Sequence, residues 1–313
     1  MSNPVPLFFP TQSIPGDGYS RSFEVELDLL ENRNMRVRGL QSDYRHQLAY
    51  DWVVSFPDYQ IIEASAEHLS GDASVLSPEL LNRCIEIQGA STSQGFMKKV
   101  VATLGDLPGY REHLALALEM ARACLQGFPV PKDDHKRFED AANMLPPGPG
   151  QIARMAWERD RADWDRLCNS CYAYRDESAS LFAEREVKCF DLDLMSPQPG
   201  QARFFWRRKQ LQISEFGAGN GFSCHNKMDD TFHELDISFD LQLDGTISSA
   251  ESQWQRLAFE GICDDTQLLA KGLVGERLDS KYARVLAGHV GGRSGCTHLY
   301  DLATDCLRMF EWT

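Results

Sequence analysis

The sequence has no excess of basic residues. Its 32 lysines and arginines are outnumbered by 46 aspartates and glutamates, leaving a net charge of −14. No basic stripe with interleaved aromatics interrupts that balance. Nucleic-acid binding is not expected, because it rests first on neutralising phosphates. Binding to anionic membranes is not expected for the same reason. Long hydrophobic runs are missing too: no stretch approaches the roughly 18 apolar residues of a membrane helix. The opening MSNPVPLFFPTQSIPGDGYSR lacks the basic n-region and long apolar core of a secretory signal, so a cytoplasmic location is expected. There is no G-x-S-x-G and no H-E-x-x-H. Cys168-Asn169-Ser170-Cys171 is a CxxC in a helix-like stretch with no second CxxC beside it. The glycine-rich run at 217–221 has no βαβ unit around it and reads as a hairpin turn rather than a phosphate cradle.

What is present points to two domains. A chain of 313 residues suits two units of about 100–150 residues each. The nine cysteines are odd in number and irregular in spacing, which favours reduced thiols over a disulfide frame. Cys124 and Cys306 fall on apolar stretches of predicted helices and read as core.

The two halves share an order of elements. Residues 20–65 and 203–254 each read as four strands, with alternation such as Phe232-His233-Glu234-Leu235-Asp236-Ile237. Phe56-Pro57-Asp58-Tyr59 and Leu243-Asp244-Gly245-Thr246 are matching turns. Three helices follow in each half: 78–87 and 264–273, closed by Gly89 and Gly275; 93–104 and 279–289; and a third carrying an apolar stripe. That stripe is Leu114, Ala117, Leu118, Ala121 and Leu125 after His113 in the first half. It is Leu299, Leu302, Ala303, Cys306 and Phe310 after His298 in the second. His46 and His233 each head the third strand. The expected fold is therefore α+β, two tandem ββββααα domains with antiparallel sheets forming an intrachain pseudo-dimer, in a chain that can be monomeric. The expected boundaries are a first copy over 1–126, a Pro-rich linker and connecting helix over 127–200 (helical over 151–186), and a second copy over 201–313.

Chemistry concentrates in the second copy. His233, Cys263, Cys296 and His298 are candidate metal ligands, because thiolates and neutral imidazoles suit zinc or iron. Cys296 follows Gly291, Gly292 and Gly295 and opens a helix, a position that favours a thiolate. Asp301, one turn beyond His298, and Glu234, beside His233, are candidate catalytic carboxylates. Cys263 and Cys296 can equally be buried thiols, and the histidines can serve the core. The first copy keeps His46 and His113 but has Ser77 near the place of Cys263 and Leu116 in place of Asp301.

The second copy resembles the bacterial family known only as domain of unknown function 2889. The resemblance covers roughly 203–310. It rests on FHELDISFDLQLDGTI, on Cys263 ahead of AKGLVGERL, and on GGRSGCTHLYDLA. The first copy matches weakly, through RHQLAYDWVV and its spacing to REHLALAL. The resemblance implies that His233, Cys263, Cys296 and His298 belong to one site with Asp301, and it implies an association with aromatic-compound catabolism. Three functions stand open: a metal-dependent lyase or hydrolase acting on a small organic substrate, aromatic compounds among the candidates; a metal-free cysteine site with a histidine base; and a binding or assembly module holding a structural metal.

Overall fold

The computed structural model describes residues 4–7, 18–71, 78–93, 95–105, 107–130, 136, 140, 150–217 and 219–312. Ser77 and most of the Pro-rich linker lie outside the described residues. The chain is α+β with antiparallel sheets. It divides into two compact units. The N-terminal unit holds Arg21–Pro131 and Asp193–Lys209; the C-terminal unit holds Met1–Ser20, Lys132–Leu192 and Gln210–Thr313. No helix among the described residues is long and apolar enough to cross a membrane.

In the N-terminal unit, β1 (Tyr19–Leu29, within this unit from Arg21), β2 (Met35–Asp43), β3 (His46–Val54) and β4 (Ile61–Gly71) pair in sequence order, each antiparallel to the next. Strict alternation drives this pairing. Phe23, Val25, Leu27 and Leu29 of β1 and Leu48, Tyr50, Trp52 and Val54 of β3 are buried, while the residues between them are more exposed. The covered face receives α1 (Pro78–Ile85), α2 (Phe96–Leu104) and α3 (Tyr110–Gln126). Gly39 shows how closely α3 approaches: a Cβ there would lie 2.5 Å from Met120 Sδ. The stripe expected on α3 is turned by one position. Ala117 and Ala121 are buried, but Leu114, Leu118 and Leu125 are only half-buried. His113, Leu116, Met120 and Cys124 complete the inner face. A five-residue apolar pattern cannot choose between adjacent faces of a helix that is apolar over most of its girth.

The C-terminal unit is ordered in the same way. β5 (Phe205–Phe216, within this unit from Gln210), β6 (Gly221–Asp230), β7 (Glu234–Gln242) and β8 (Ile247–Arg256) are hydrogen-bonded in sequence order. The glycine-rich run at 217–221 joins β5 to β6, so the hairpin reading holds for its described residues. Then come α6 (Asp264–Gln267), continued by a 3-10 segment over Leu268–Leu273, α7 (Tyr282–His289) and α8 (Thr297–Leu307). Leu299, Leu302, Ala303 and Cys306 are buried as the stripe predicts, but Phe310 has left the helix for a short strand paired with Pro4–Pro6.

The segment before β5 departs from expectation. It is not one helix over 151–186. α4 (Gln151–Asp163) stops at Trp164, and α5 (Ser178–Glu184) starts afresh. Between them Asn169 adopts a left-handed φ of 59°. Its N–H bonds Tyr174 O, and its side-chain Oδ1 accepts the N–H of Asp176. An asparagine satisfying the backbone in this way competes with helix, so the CxxC sits in a compact turn.

Individual hydrogen bonds recur between the units. Gly89 N–H bonds Ile61 O and Gly275 N–H bonds Ile247 O, both at 2.8 Å. Ile61 N–H bonds Ala90 O and Ile247 N–H bonds Glu276 O, both at 2.9 Å. Both glycines have φ near +90°, where a side chain would be strained.

Candidate metal centre

The site is built on the turn between β6 and β7. Asp230 closes it: its N–H bonds His233 O at 2.7 Å, and its Oδ1 accepts the N–H groups of Phe232 and His233 at 2.8 Å each. The same Oδ1 lies 3.2 Å from His233 Nδ1. A carboxylate only accepts, so Nδ1 carries the proton and Nε2 is left as the imidazole's donor to a cation. Arg256 pins the turn from β8, donating to Asp229 Oδ1 and to Asp230 O at 2.6 Å each. Asp230 is fully buried and His233 nearly so.

His298, the second residue of α8, reaches the same place. Its ring centroid is 4.1 Å from that of His233. The loop ahead of α8 makes this possible. Cys296 N–H bonds Val290 O at 2.7 Å, and a Cβ on Gly295 would collide with that carbonyl. Ligand-type atoms of Asp230, His233 and His298 all lie within 4.8 Å of one another, and this is the group of that kind among the described residues. Two imidazoles and a carboxylate suit zinc or ferrous iron.

Of the residues singled out from sequence, the structure brings together His233 and His298. Cys263 and Cys296 are not members of that group. They lie instead near Cys171 of the CxxC turn, whose charge bears on both of them. Burial pushes the Cys296 thiol up to about 11, against the pull of the Leu299 and His298 N–H groups at the head of α8. Burial also pushes Cys263 well above the ordinary thiol value, with Cys171 and Cys296 adding to the effect. The expected thiolate at the helix start is thus overturned: losing water costs the anion more than the helix terminus returns. Glu234 points to the face opposite Leu235 and pairs with Lys227 Nζ at 2.7 Å, so it does not orient His233. Asp301 is half-buried one turn along α8 and stands outside the 4.8 Å group. Asp230 was missed from sequence. Its signal was a D-x-x-H present twice, Asp43-Tyr44-Arg45-His46 and Asp230-Thr231-Phe232-His233.

The N-terminal unit builds the same turn. Asp43 Oδ1 accepts the N–H groups of Arg45 at 2.8 Å and His46 at 3.0 Å, with His46 Nδ1 at 3.1 Å. Burial raises the Asp43 carboxyl, but the His46 imidazole and these N–H groups outweigh it, so its pKa lies below the ordinary value. His113 is engaged differently from His298. Its Nδ1 is 2.7 Å from Tyr50 Oη and 3.0 Å from Cys84 Sγ, and those two atoms are 2.6 Å apart. Burial pushes His113 down to about 4, with His46 and His68 adding to the effect, and pushes Cys84 up to about 12.

Residues 215–309 match the model of a family described as Protein of unknown function (DUF2889). The match covers the hairpin turn, the Cys263 segment and α8 of the C-terminal unit, and it begins well after Cys171. No curated protein and no solved structure matches the chain.

Proposed function

We propose that the C-terminal unit holds a zinc or ferrous ion on His233 and His298, with Asp230 as the carboxylate that fixes His233, and that the protein is a metal-dependent lyase or hydrolase acting on a small organic molecule. The supporting observation is the convergence of Asp230, His233 and His298 within 4.8 Å, in a turn whose hydrogen bonds already set the tautomer of His233. Two protein imidazoles leave positions open for water or substrate. A metal there supplies a hydroxide near neutral pH and polarises a carbonyl. We read the chain as a duplicated domain, because the D-x-x-H turn and the Gly89 and Gly275 hydrogen bonds recur at matching places. In this reading the N-terminal copy keeps the scaffold and has given up the chemistry.

The test is metal analysis of untagged protein purified from metal-replete culture. Wild type should carry at least one equivalent per chain, and His233→Ala and His298→Ala should each carry about one equivalent less. A metal-free wild type would sink the proposal. One observation favours a second reading, a structural metal in a binding module: the Asp–His turn also exists in the N-terminal unit, where no such group converges among the described residues, so it serves the fold there. Chelation separates the two. Circular dichroism unchanged after metal removal supports the enzyme, and loss of structure supports the structural metal.

A further inference from the structure

We propose that Arg256 is the positioning residue of the metal centre, the group that holds the Asp230–His233 turn in its ligating geometry, and that the N-terminal unit has no counterpart to it. This role rests on the metal reading of the site. The backbone of the turn creates the need for such a group. Residues that close a two-residue hairpin ordinarily exchange two N–H to carbonyl bonds. Asp230 and His233 make one of them, from Asp230 N–H to His233 O at 2.7 Å. The His233 N–H goes instead to Asp230 Oδ1, at 2.8 Å. That switch brings the carboxylate to His233 Nδ1, and it takes from Asp230 O its ladder donor. Arg256 supplies the replacement. Its Nη2 donates to Asp230 O and to Asp229 Oδ1 at 2.6 Å each, with His233 O at 3.4 Å. One guanidinium thus bears on both ends of the turn, and Glu234 Oε2 lies 3.8 Å from its Nη1.

A bulge aims this side chain. The register between β7 and β8 shifts between Trp254 and Arg256, which sets Arg256 opposite Glu234, the residue after His233. Bulges re-aim side chains in this way. The N-terminal unit has the same shift at the same place. There β3 and β4 slip between the Gln47–Ser70 and Leu48–His68 pairs, so Ser70 stands opposite Gln47, the residue after His46. Ser70 is therefore the position that corresponds to Arg256, and its hydroxyl donates to Gln47 Oε1 at 3.4 Å. The strand backbone itself crowds that turn: a Cβ on Gly71 would lie 2.0 Å from Arg45 O and 2.5 Å from His46 Cα. The same turn is thus braced by backbone in one unit and by a planar cation in the other. Arg256 acts through Asp230 and His233. Groups that hold a ligand histidine from outside in this way are worth roughly 10- to 100-fold in metal affinity. A lysine has the charge but not the fork, so it replaces arginine only in part.

The test is a titration of full-length metal-free protein with cobalt(II) chloride, following the visible d–d bands that His233→Ala loses. Arg256→Met keeps the apolar stem and removes the donors. It should bind cobalt roughly 10-fold or more weakly than wild type, with shifted bands at saturation, because His233 is no longer held in place. Arg256→Lys should recover part of the affinity, and Ser70→Ala should match wild type. Wild-type affinity and bands in Arg256→Met would overturn the positioning role and leave the metal site standing. Unchanged bands at saturation, with affinity lost only in step with metal-free stability in urea, would also overturn it, since a merely structural residue behaves that way. If Arg256→Met does not fold, Arg256→Lys decides: weaker binding supports the role, and wild-type affinity and bands overturn it. A wild type that takes up no cobalt at His233 would sink the metal reading itself, and this role with it.

Discussion

The two units carry the same pair of histidines on the same turn and helix, and they use them differently. In the N-terminal unit His113 is shut in the core, with Tyr50 and Cys84 on its Nδ1. In the C-terminal unit His298 is half-buried and its ring lies beside that of His233. The sheets differ at corresponding positions. Tyr50 and Ile237 stand four residues past His46 and His233 on strands of the same register: Tyr50 pairs with Gly39, and Ile237 pairs with Asn226. A tyrosine at that place offers a phenol to the helix histidine, and an isoleucine offers nothing. The facing position changes in step. Gly39 admits Met120, whereas Asn226 donates to Leu302 O at 3.0 Å. The same order of strands and helices thus surrounds a hydrogen-bonded core histidine in one unit and a pair of stacked histidines in the other.

The comparison breaks most visibly in metal content. His233→Ala and His298→Ala should each remove about one equivalent of metal, while His46→Ala and His113→Ala should leave the content at the wild-type level. Equal losses from both units would mean that the N-terminal histidines are not confined to the fold.

A smaller difference lies in acid stability. His113 titrates at about 4 in the folded chain, below the ordinary 6.5. Its contribution is fully present above 6.5. It is lost as the pH falls from there through about 4, because only the unfolded chain takes up the proton. A shift of that size corresponds to about 3 kcal/mol. Hydrogen exchange should therefore show α3 opening more readily than α8 across that window, and His113→Gln should flatten the dependence. A slope unchanged in His113→Gln would place the acid sensitivity elsewhere.

The turns should respond alike. Asp43→Ala and Asp230→Ala each strand two backbone N–H groups and should each cost about 2 kcal/mol, read by denaturant unfolding. Only Asp230→Ala should also weaken metal binding. The smallest expected effect is that of Tyr50→Phe, which removes one donor from His113 and should cost about 1 kcal/mol without touching the metal. A loss of metal in Tyr50→Phe would break the division between the units.

Much of this was legible in residue patterns. Period-two alternation from Phe23 to Leu29 and from Leu235 to Leu241 marks strands because one face must be dry. Gly89 and Gly275 mark the ends of the first helical segments because their backbone needs positive φ. His233 and His298 were found because the two halves carry histidines at corresponding places in the same order of elements. Cys263 and Cys296 were grouped with those histidines because residue type says what a side chain can bind and not which neighbour it meets. Asp230 escaped because its partner lies only three residues away, where a turn-former and a ligand look alike.

By itself, the sequence determined the order of strands and helices, the recurrence of that order, and the positions of the two histidine pairs. Those follow from periodicity, turn chemistry and local backbone preference, which act over a few residues. The tertiary structure decided which side chains share an environment. Tyr50 reaches His113, His298 comes to His233, and the turn that carries Cys171 is tied to the segments of Cys263 and Cys296. Burial then set the protonation of those groups, holding His113 neutral and Cys296 a thiol. Desolvation depends on everything packed around a group, and no window of sequence contains that.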